Sequence, residues 1–266
     1  MSRIPRELDP GAPVMVIDIG NSSMGIATWH EDRIKTPLHI ATDDTEAIEE
    51  SFRAQCEASS DKLPAAVVIG SVVPERLSDC RALVKKLFDQ HVLVVGDTID
   101  LPIDVGVKDA KAIGVDRVCA AAAAFERLQT ACTIVDFGTA VTVDLVNDDG
   151  VLLGGAILPG LEVQCRALHE HFACLPEVTP EIPELLYGRD TTEAIRTGVC
   201  RGLAGAVRGL VEGYATSLKV WPHVVATGGS LELMAPICDF VDSLVPDLTL
   251  QGVGLAYQKH LSEMGA

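Results

Sequence analysis

Hydrophobic residues in this chain fall mostly in short runs rich in valine and isoleucine, each bounded by glycine, aspartate or proline. Runs of this length and composition are typical of buried β-strands. The predicted strands are Val14–Ile19, Met24–Trp29, Ala65–Ile69, His91–Val95, Cys132–Phe137, Val141–Val146, Val151–Ile157 and Val224–Thr227.

The segments between these runs carry the signals of helices. Asp44–Ala58 follows Asp43, a suitable N-cap residue with Glu46 three positions further on. Pro74–Asp89 begins with proline at a first-turn position, and Val118–Leu128 is rich in alanine. We therefore expect helices to alternate with the strands in an α/β fold.

A longer helix is predicted over Thr191–Leu218, which contains five glycines. They are Gly198, Gly202, Gly205, Gly209 and Gly213. Their spacing would place small residues along one face, which suits close helix packing, for example between subunits. Because glycine also lowers helix stability, a break in this helix is equally compatible with the pattern.

One arrangement of strands and turns occurs twice. A strand runs into an Asp-x-Gly turn at Asp18–Gly20 and again at Asp136–Gly138, and each turn is followed by a strand, an acidic turn and a further strand. Later in each half an apolar strand ends in a turn of small residues, Ile69–Ser71 and Thr227–Ser230. Two copies of one unit that begins with a β-hairpin predict two related α/β lobes facing each other across a cleft.

The predicted boundaries are an N-terminal tail over 1–13, a first lobe over 14–130 and a second lobe over 131–266. A composition of 48% hydrophobic residues supplies enough core for two lobes. The tail has no apolar segment of the kind found in signal peptides, and no stretch of the chain approaches the roughly 20 apolar residues that span a bilayer.

Charge and cysteine content narrow the classes of function. The formal net charge of −17 repels polyanions, which argues against nucleic acid and anionic membranes as partners. The eight cysteines contain no Cys-x-x-Cys pair, and several lie within apolar runs, as expected of small buried side chains in a reducing compartment. We therefore expect a cytoplasmic protein that acts on a small molecule.

The two Asp-x-Gly turns are suited to binding phosphate. Glycine lets the backbone bend so that its amides face a ligand, and such amides bind phosphate oxygens. The carboxylates of Asp18 and Asp136 would repel a triphosphate unless cations lay between them, Mg²⁺ being the usual one. One Asp-x-Gly is a common turn signal, but two copies, followed by Gly228-Gly229 after a strand, favour a nucleotide site.

The stretch Gly114-Val115-Asp116-Arg117 precedes the alanine-rich helix and has two interpretations. In the first, Asp116 is a helix N-cap and Arg117 a solvated neighbour. In the second, Asp116 is a general base that takes a proton from a hydroxyl acceptor, while Arg117 and the helix N-terminus hold an anionic group of the substrate. The local sequence leaves both open.

Other familiar sites are missing from the sequence or weakly indicated. There is no Gly-x-x-x-x-Gly-Lys-Ser/Thr loop, which excludes a P-loop enzyme. His169 and His171 would face different sides of a helix, which disfavours a metal site there. Gly252-Val253-Gly254 is predicted to open the terminal helix, and the remaining histidines, His39 among them, are isolated and carry no signal.

In their joint order these motifs resemble those of the type III pantothenate kinases, which belong with acetate kinase, sugar kinases, heat-shock chaperones and actin. The motifs are Asp18–Ser22, Gly70–Pro74, Gly114–Arg117, Asp136–Ala140 with Thr142 and Asp144, Gly154–Gly160, Thr191–Ile195 with Gly198, and Thr227–Gly229. The resemblance spans the chain from Asp18 to about Gly254, and it implies two actin-like (ribonuclease H-like) lobes with an interlobe cleft.

The resemblance also implies an activity and a set of site residues. The activity is ATP-dependent phosphorylation of pantothenate to 4′-phosphopantothenate, the first step of coenzyme A synthesis, by a homodimer that uses Mg²⁺ and K⁺ or NH₄⁺. The implied ATP-binding residues are Asp18, Gly20, Asn21, Ser22, Ser23, Gly138, Thr139, Gly228 and Gly229. The implied acceptor-binding residues are Gly114, Val115, Asp116, Arg117 and Thr191, with Asp116 as proton acceptor. Asp136 would hold the monovalent cation, and Asp18 would hold Mg²⁺ directly or indirectly.

One stretch departs from the family pattern and keeps alternatives open. Many members carry an aromatic-x-Asn-Pro stretch that lines the acceptor site, where this chain has Val107-Lys108-Asp109-Ala110. A kinase of the same fold acting on another small hydroxy acid or polyol is therefore a second hypothesis. A third is a non-catalytic regulatory homologue, against which the presence of Asp18, Asp116 and Asp136 argues, since a binding scaffold does not need all three carboxylates.

Overall fold

The computed structural model describes residues 12–58, 64–88, 92–110 and 112–265. The chain forms two compact units. Unit one comprises the residues up to Glu126 and those from Asp247 onward, and unit two comprises Arg127–Pro246. Residues 1–11 of the predicted tail lie outside the described part of the chain, as do Asp89 and His91 at the ends of two predicted elements.

Unit one is built on a five-stranded sheet of order β3-β2-β1-β4-β5. Its strands are β1 (Val14–Ile19), β2 (Ser23–His30), β3 (Arg33–Ala41), β4 (Val67–Ser71) and β5 (Val92–Val94), and β6 (Asp104–Val105) is a further two-residue strand. Its helices are α1 (Thr45–Ala58), α2 (Pro74–Phe88), α3 (Val115–Leu128) and the last helix, α7 (Leu248–Met264). β1 pairs antiparallel with β2 and parallel with β4.

Unit two repeats this topology. Its strands are β7 (Cys132–Phe137), β8 (Ala140–Val146), β9 (Val151–Pro159), β10 (His223–Thr227) and β11 (Ser243–Leu244), in the order β9-β8-β7-β10-β11. Its helices are α4 (Leu161–His171), α5 (Thr191–Leu218), α6 (Leu231–Met234) and a 3₁₀ turn (Ala235–Ile237). β7 pairs antiparallel with β8 and parallel with β10, as β1 does with β2 and β4. The prediction of two related α/β lobes is confirmed.

The sheet of unit one is covered on both faces. Met15, Ile17 and Ile19 belong to one buried cluster, whereas Val14 and Val16 belong to another that includes residues of α7. Since successive side chains of a strand point to opposite faces, Asp18 lies on the same face as Val14 and Val16. The alternation along β1 therefore directs this carboxylate toward the side that carries α7.

Helix α7 belongs to unit one, whereas the sequence predicted it in the second lobe. The predicted second lobe extended to residue 266, but α7 packs its buried Leu250, Val253 and Tyr257 into the unit-one cluster. The approach is close: a Cβ on Gly252 would overlap the backbone of Cys119 in α3, and a Cβ on Gly254 would overlap the Trp29 ring. Burial of this apolar face accounts for the placement of the helix.

Several element boundaries correct the sequence predictions. The cap of α1 is Asp44 rather than Asp43, because the Asp44 side chain accepts a hydrogen bond from the Ala47 amide at 3.0 Å. Helix α3 begins at Val115, three residues before the predicted start. Gly252-Val253-Gly254 lies inside α7 and does not open it. Helix α5 is continuous over all 28 residues despite its glycines.

The cysteines follow the expected pattern, with one exception. Among those whose side chains the structure describes, Cys174 is exposed and the rest are buried thiols. No helix within the described ranges is both long and apolar enough to cross a bilayer.

Candidate active site

The turn between β1 and β2 carries the first group of predicted ATP-binding residues. The Gly20 amide donates to the Ser23 carbonyl at 3.0 Å, so the turn is tight, and it leaves Asn21, Ser22 and Ser23 exposed. Thr42, at the end of β3, fixes the turn through its hydroxyl, which donates to the Gly20 carbonyl, and through its amide, which donates to the Ser22 carbonyl. The turn is thus held from a second strand while its polar groups face outward.

Asp18 lies one residue before the end of β1, between two glycines of the neighbouring strands. Its register partners are Gly25 in β2 and Gly70 in β4. Directly paired residues point to the same face of a sheet, so the glycines leave no side chains beside the Asp18 carboxylate within the sheet. Packing is also tight at both glycines: Cβ atoms there would lie 3.1 Å from Leu250 Cδ1 and 3.0 Å from Val253 Cγ2.

The Gly114–Arg117 stretch forms the first turn of α3. The Gly114 carbonyl accepts from the Val118 amide, which makes Asp116 the second residue of the helix. Its carboxylate accepts from the Arg117 amide at 2.8 Å and folds back over Gly114, where a Cβ would overlap Asp116 Oδ1. The N-cap interpretation of Asp116 is wrong, although its carboxylate does interact favourably with the helix N-terminus.

Asp18 and Asp116 both affect the pKa of the buried Cys119 thiol. Burial raises the pKa of the Cys119 thiol, and the negative charges of Asp18 and Asp116 raise it further. The first turn of α3 lies beside the end of β1, since a Cβ on Gly70, the register partner of Asp18, would lie 3.6 Å from Val115 Cγ1. Unit one therefore brings together a predicted phosphate-binding turn and the predicted acceptor-binding residues Gly114–Arg117.

Unit two forms an equivalent turn between β7 and β8. Asp136 lies one residue before the end of β7, with Thr142 and Thr227 as its partners in the neighbouring strands. A Cβ on Gly138 would lie 3.3 Å from Asp136 Oδ1, so the turn curls around this carboxylate. The Thr139 side chain is exposed, and its carbonyl accepts from the Gly160 amide at 2.9 Å.

Gly228 and Gly229 complete this cluster after β10. Gly228 has a φ of +101°, a conformation that disfavours any other residue, and a Cβ there would overlap Asp136 Oδ1 and the Phe137 backbone. The Ser230 amide donates to the Phe137 carbonyl at 2.9 Å. Gly229 is exposed, and among the residues that the structure describes nothing beyond its own chain neighbours lies within 4 Å of its Cβ position, so the backbone here is open to a ligand.

Thr191 lies at the start of α5. The preceding Asp190 is the N-cap, accepting from the Glu193 amide at 2.8 Å, a role that sequence reasoning missed. Thr191 borders a cavity of about 800 Å³ between α4 and α5 that is lined mainly by apolar side chains, among them Val163, Leu168 and Phe172. The cavity had no signal in the sequence because its walls come from two separate helices.

Sequence reasoning also missed a histidine near the first turn. His39, in β3, contacts Asp247, just before α7, with 2.5 Å between Nε2 and Oδ1. The two residues are 208 positions apart, and neither belongs to a recognisable motif. Only the tertiary structure could have revealed this pair.

Comparison with known proteins places the chain in a family. The family model described as type III pantothenate kinase matches residues 14–213. The chain belongs to the type III pantothenate kinase family. Relatives of that name include proteins from Citrifermentans bemidjiense, 33% identical with 93% of this chain and 99% of the relative aligned, and from Thermomicrobium roseum, 33% identical with 95% and 100% aligned.

Solved structures agree on the fold of this family member. A conserved Baf family protein from Campylobacter jejuni, described as a candidate transcriptional activator, matches with a TM-score of 0.61 and 16% identity, covering 94% of this chain and 98% of that one. MreB 5 of Spiroplasma citri, solved with AMPPNP, matches with a TM-score of 0.50 and 9% identity, covering 96% and 98%. At such identities the likeness concerns the fold alone, which is the expected actin-like one.

Proposed function

We propose that this protein transfers the terminal phosphoryl group of ATP to pantothenate, giving 4′-phosphopantothenate and ADP. The observation that carries the proposal is the repeated strand-turn-strand unit. In each copy an aspartate lies beside a glycine turn whose polar groups are exposed, and 93% of the chain aligns with a relative named type III pantothenate kinase. The proposed cellular site is the cytoplasm, where ATP is available.

The residues proposed to bind the ATP phosphates lie at the glycine turns of the two copies. In unit one the binding groups are the turn residues Gly20–Ser23, and in unit two they are Gly138, Thr139 and Gly228–Gly229. Open backbone at Gly229 and the exposed hydroxyl of Thr139 suit contacts to phosphate oxygens. Small residues at these positions let the backbone approach the nucleotide without side chains in between.

The carboxylates fit cation sites, because oxygen ligands are those that Mg²⁺ and K⁺ prefer. Asp18 would hold Mg²⁺, directly or through water, and Asp136 would hold a monovalent cation such as K⁺ or NH₄⁺. When bound, these cations neutralise the phosphate charge that builds up during transfer. Gly25 and Gly70 place no side chain of their own beside Asp18, and Gly138 and Gly228 place none beside Asp136.

The acceptor would bind at the first turn of α3. Asp116 would take the proton of the attacking hydroxyl, and Arg117 would bind the pantothenate carboxylate through a bidentate ion pair. Gly114 and Val115 would contact the remainder of the acceptor. Thr191, in unit two, is a further residue proposed to bind the acceptor. The position of Val115, 3.6 Å from a Cβ built on Gly70 beside Asp18, supports this arrangement, since phosphate and acceptor must meet for transfer.

We further propose a homodimer formed through α5. Its five glycines lie on one exposed face, and within the described residues nothing approaches within 4 Å of a Cβ built on any of them. Each glycine costs the helix about 1 kcal/mol relative to alanine, which packing inside this chain does not offset. A second copy of α5 could approach this face closely and offset that cost.

A coupled ADP-release assay with purified protein, ATP, Mg²⁺ and K⁺ tests the proposed reaction. Pantothenate should give saturable turnover, and a panel of other hydroxy acids and polyols should give much less. The panel matters because Val107–Ala110 departs from the family pattern. Turnover with another acceptor only would favour the second hypothesis, and no turnover with any acceptor would favour a regulatory protein.

A further inference from the structure

The contact between His39 and Asp247 joins the edge strand β3 to the start of α7 within unit one. Its Nε2–Oδ1 distance is 2.5 Å, and the Asp247 side chain is 16% exposed whereas that of His39 is 57% exposed. His39 Nδ1 makes no hydrogen bond to any residue that the structure describes. Asp247 thus orients the ring and leaves its second nitrogen available to a ligand.

His39 also lies in a row with Asp18. The register pairs Gly70 with Asp18, Asp18 with Gly25, and Gly25 with His39 across four adjacent strands. Directly paired residues share a face of the sheet, and strand spacing puts His39 about 10 Å from Asp18. The His39 ring lies over Gly25, since a Cβ on Gly25 would be 3.3 Å from His39 Cε1. Gly25 adds no side chain to this row, and Leu250 of α7 packs over the same position, with its Cδ1 3.1 Å from that Cβ.

The neighbouring turn lacks positive charge of its own. The sequence from Val14 to Trp29, which contains both strands of the first hairpin, has no lysine and no arginine. The whole chain carries a formal net charge of −17. A positively charged side chain near this turn would favour nucleotide phosphates in addition to the bound cations.

We propose that His39, positioned by Asp247, is a binding residue for the nucleotide phosphates, supplying the positive charge that the Asp18–Ser23 turn lacks and offering Nδ1 as a donor. The inference rests on the proposed function only in taking this turn as the phosphate site. It assigns His39 no part in proton transfer.

The charged groups around His39 support this role. The hydrogen bond to Asp247 raises the pKa of His39, and the charges of Asp247 and Asp18 raise it further, against an opposing effect of partial burial. A raised pKa means that the imidazolium persists above about pH 6.5, the ordinary value for histidine. Nucleotide affinity should therefore be retained at low pH and fall as pH rises through the pKa of His39.

Calorimetric titration with Mg²⁺-ADP, between about pH 5.5 and 8.5, tests the inference in the full-length protein. Loss of a charge-assisted hydrogen bond predicts that His39→Gln binds about 10- to 100-fold more weakly at low pH, with a flatter pH profile than the wild type. The titration of ADP itself is common to both proteins and cancels in their ratio. His39→Lys should restore most of the affinity.

His30→Gln is the matched control, because His30 lies at the far end of β2 beside Glu31 and should leave affinity unchanged. Asp247→Asn should shift the pH profile to lower pH, and it decides the matter should His39→Gln not fold. Wild-type affinity in His39→Gln, an equal loss in His30→Gln, or an unshifted profile in Asp247→Asn would overturn the inference. Failure to phosphorylate pantothenate would reject the proposed reaction without changing these binding results.

Discussion

Asp116 shows how one carboxylate can have a structural and a chemical role at once. It lies in the first turn of α3 and accepts a hydrogen bond from the Arg117 amide. Asparagine at this position could accept the same hydrogen bond through its side-chain oxygen, but it has no basic site at neutral pH. The two roles can therefore be separated by a single substitution.

We predict that Asp116→Asn lowers kcat with pantothenate by about 10²- to 10⁴-fold, the usual contribution of a general base, while Tm hardly changes. Steady-state kinetics and thermal unfolding measure the two effects. Asp104→Asn, at an exposed aspartate of unit one, is the control and should change neither. A folded Asp116→Asn protein with nearly normal kcat would remove the base assignment.

For individual residues, the sequence predicts the positions that depend on local signals and misses those that depend on tertiary packing. Asp18 and Asp136 are found at the ends of β1 and β7 as predicted, because strand and turn signals are local. The partnership of His39 with Asp247 depends on where α7 packs, which no local pattern encodes. The predicted position of the α1 cap is wrong by one residue because Asp43 and Asp44 are equally good cap residues by type.

The elements themselves were largely predictable because the same unit occurs twice. Apolar runs and glycine turns identified most strands of both sheets, and the structure confirms one shared strand order. The position of α7 could not be predicted from such local patterns. It follows the second unit along the chain but buries its apolar face on the first, since burial depends on tertiary partners and not on chain order.

Close packing of α7 predicts a stability effect at Gly252. A Cβ there would overlap the backbone of α3 at Cys119, which cannot move aside as a flexible side chain would. We expect Gly252→Ala to destabilise the protein by about 1–3 kcal/mol, the usual cost of overpacking. Urea unfolding measures the change.

Gly265→Ala serves as the control, since the nearest atom to a Cβ there lies at 3.5 Å, an ordinary contact distance. Its unfolding midpoint should stay close to that of the wild type. Equal stability of Gly252→Ala and the wild type would show that α7 packs less closely on α3 than described.

The molecule as a whole carries a large excess of negative charge. A chain of net charge −17 that binds a triphosphate needs cations at the site to offset repulsion. We predict that turnover requires Mg²⁺ and, in addition, K⁺ or NH₄⁺, measured by exchanging potassium for sodium or Tris buffers at constant ionic strength. Full activity in the absence of a potassium-like ion would contradict the role given to Asp136.

The proposed dimer is a second property at this scale. A leucine in place of Gly205 would project from the exposed glycine face of α5, where the chain itself offers open space. Gly205→Leu should therefore fold normally but shift the protein from dimer to monomer in light scattering. Ser78→Leu, at an exposed position of α2, is the control and should stay dimeric. A wild-type protein that is monomeric at micromolar concentration would contradict the dimer.

Identification of the reaction product is the most direct test of the proposed phosphorylation of pantothenate. The protein is incubated with ATP, pantothenate, Mg²⁺ and K⁺, and the products are identified by mass spectrometry, with Asp116→Asn run in parallel. We expect 4′-phosphopantothenate and ADP in equal amounts from the wild type and very little of either from the variant. ADP without phosphorylated pantothenate, or phosphorylation of a different acceptor in a mixed pool, would contradict it.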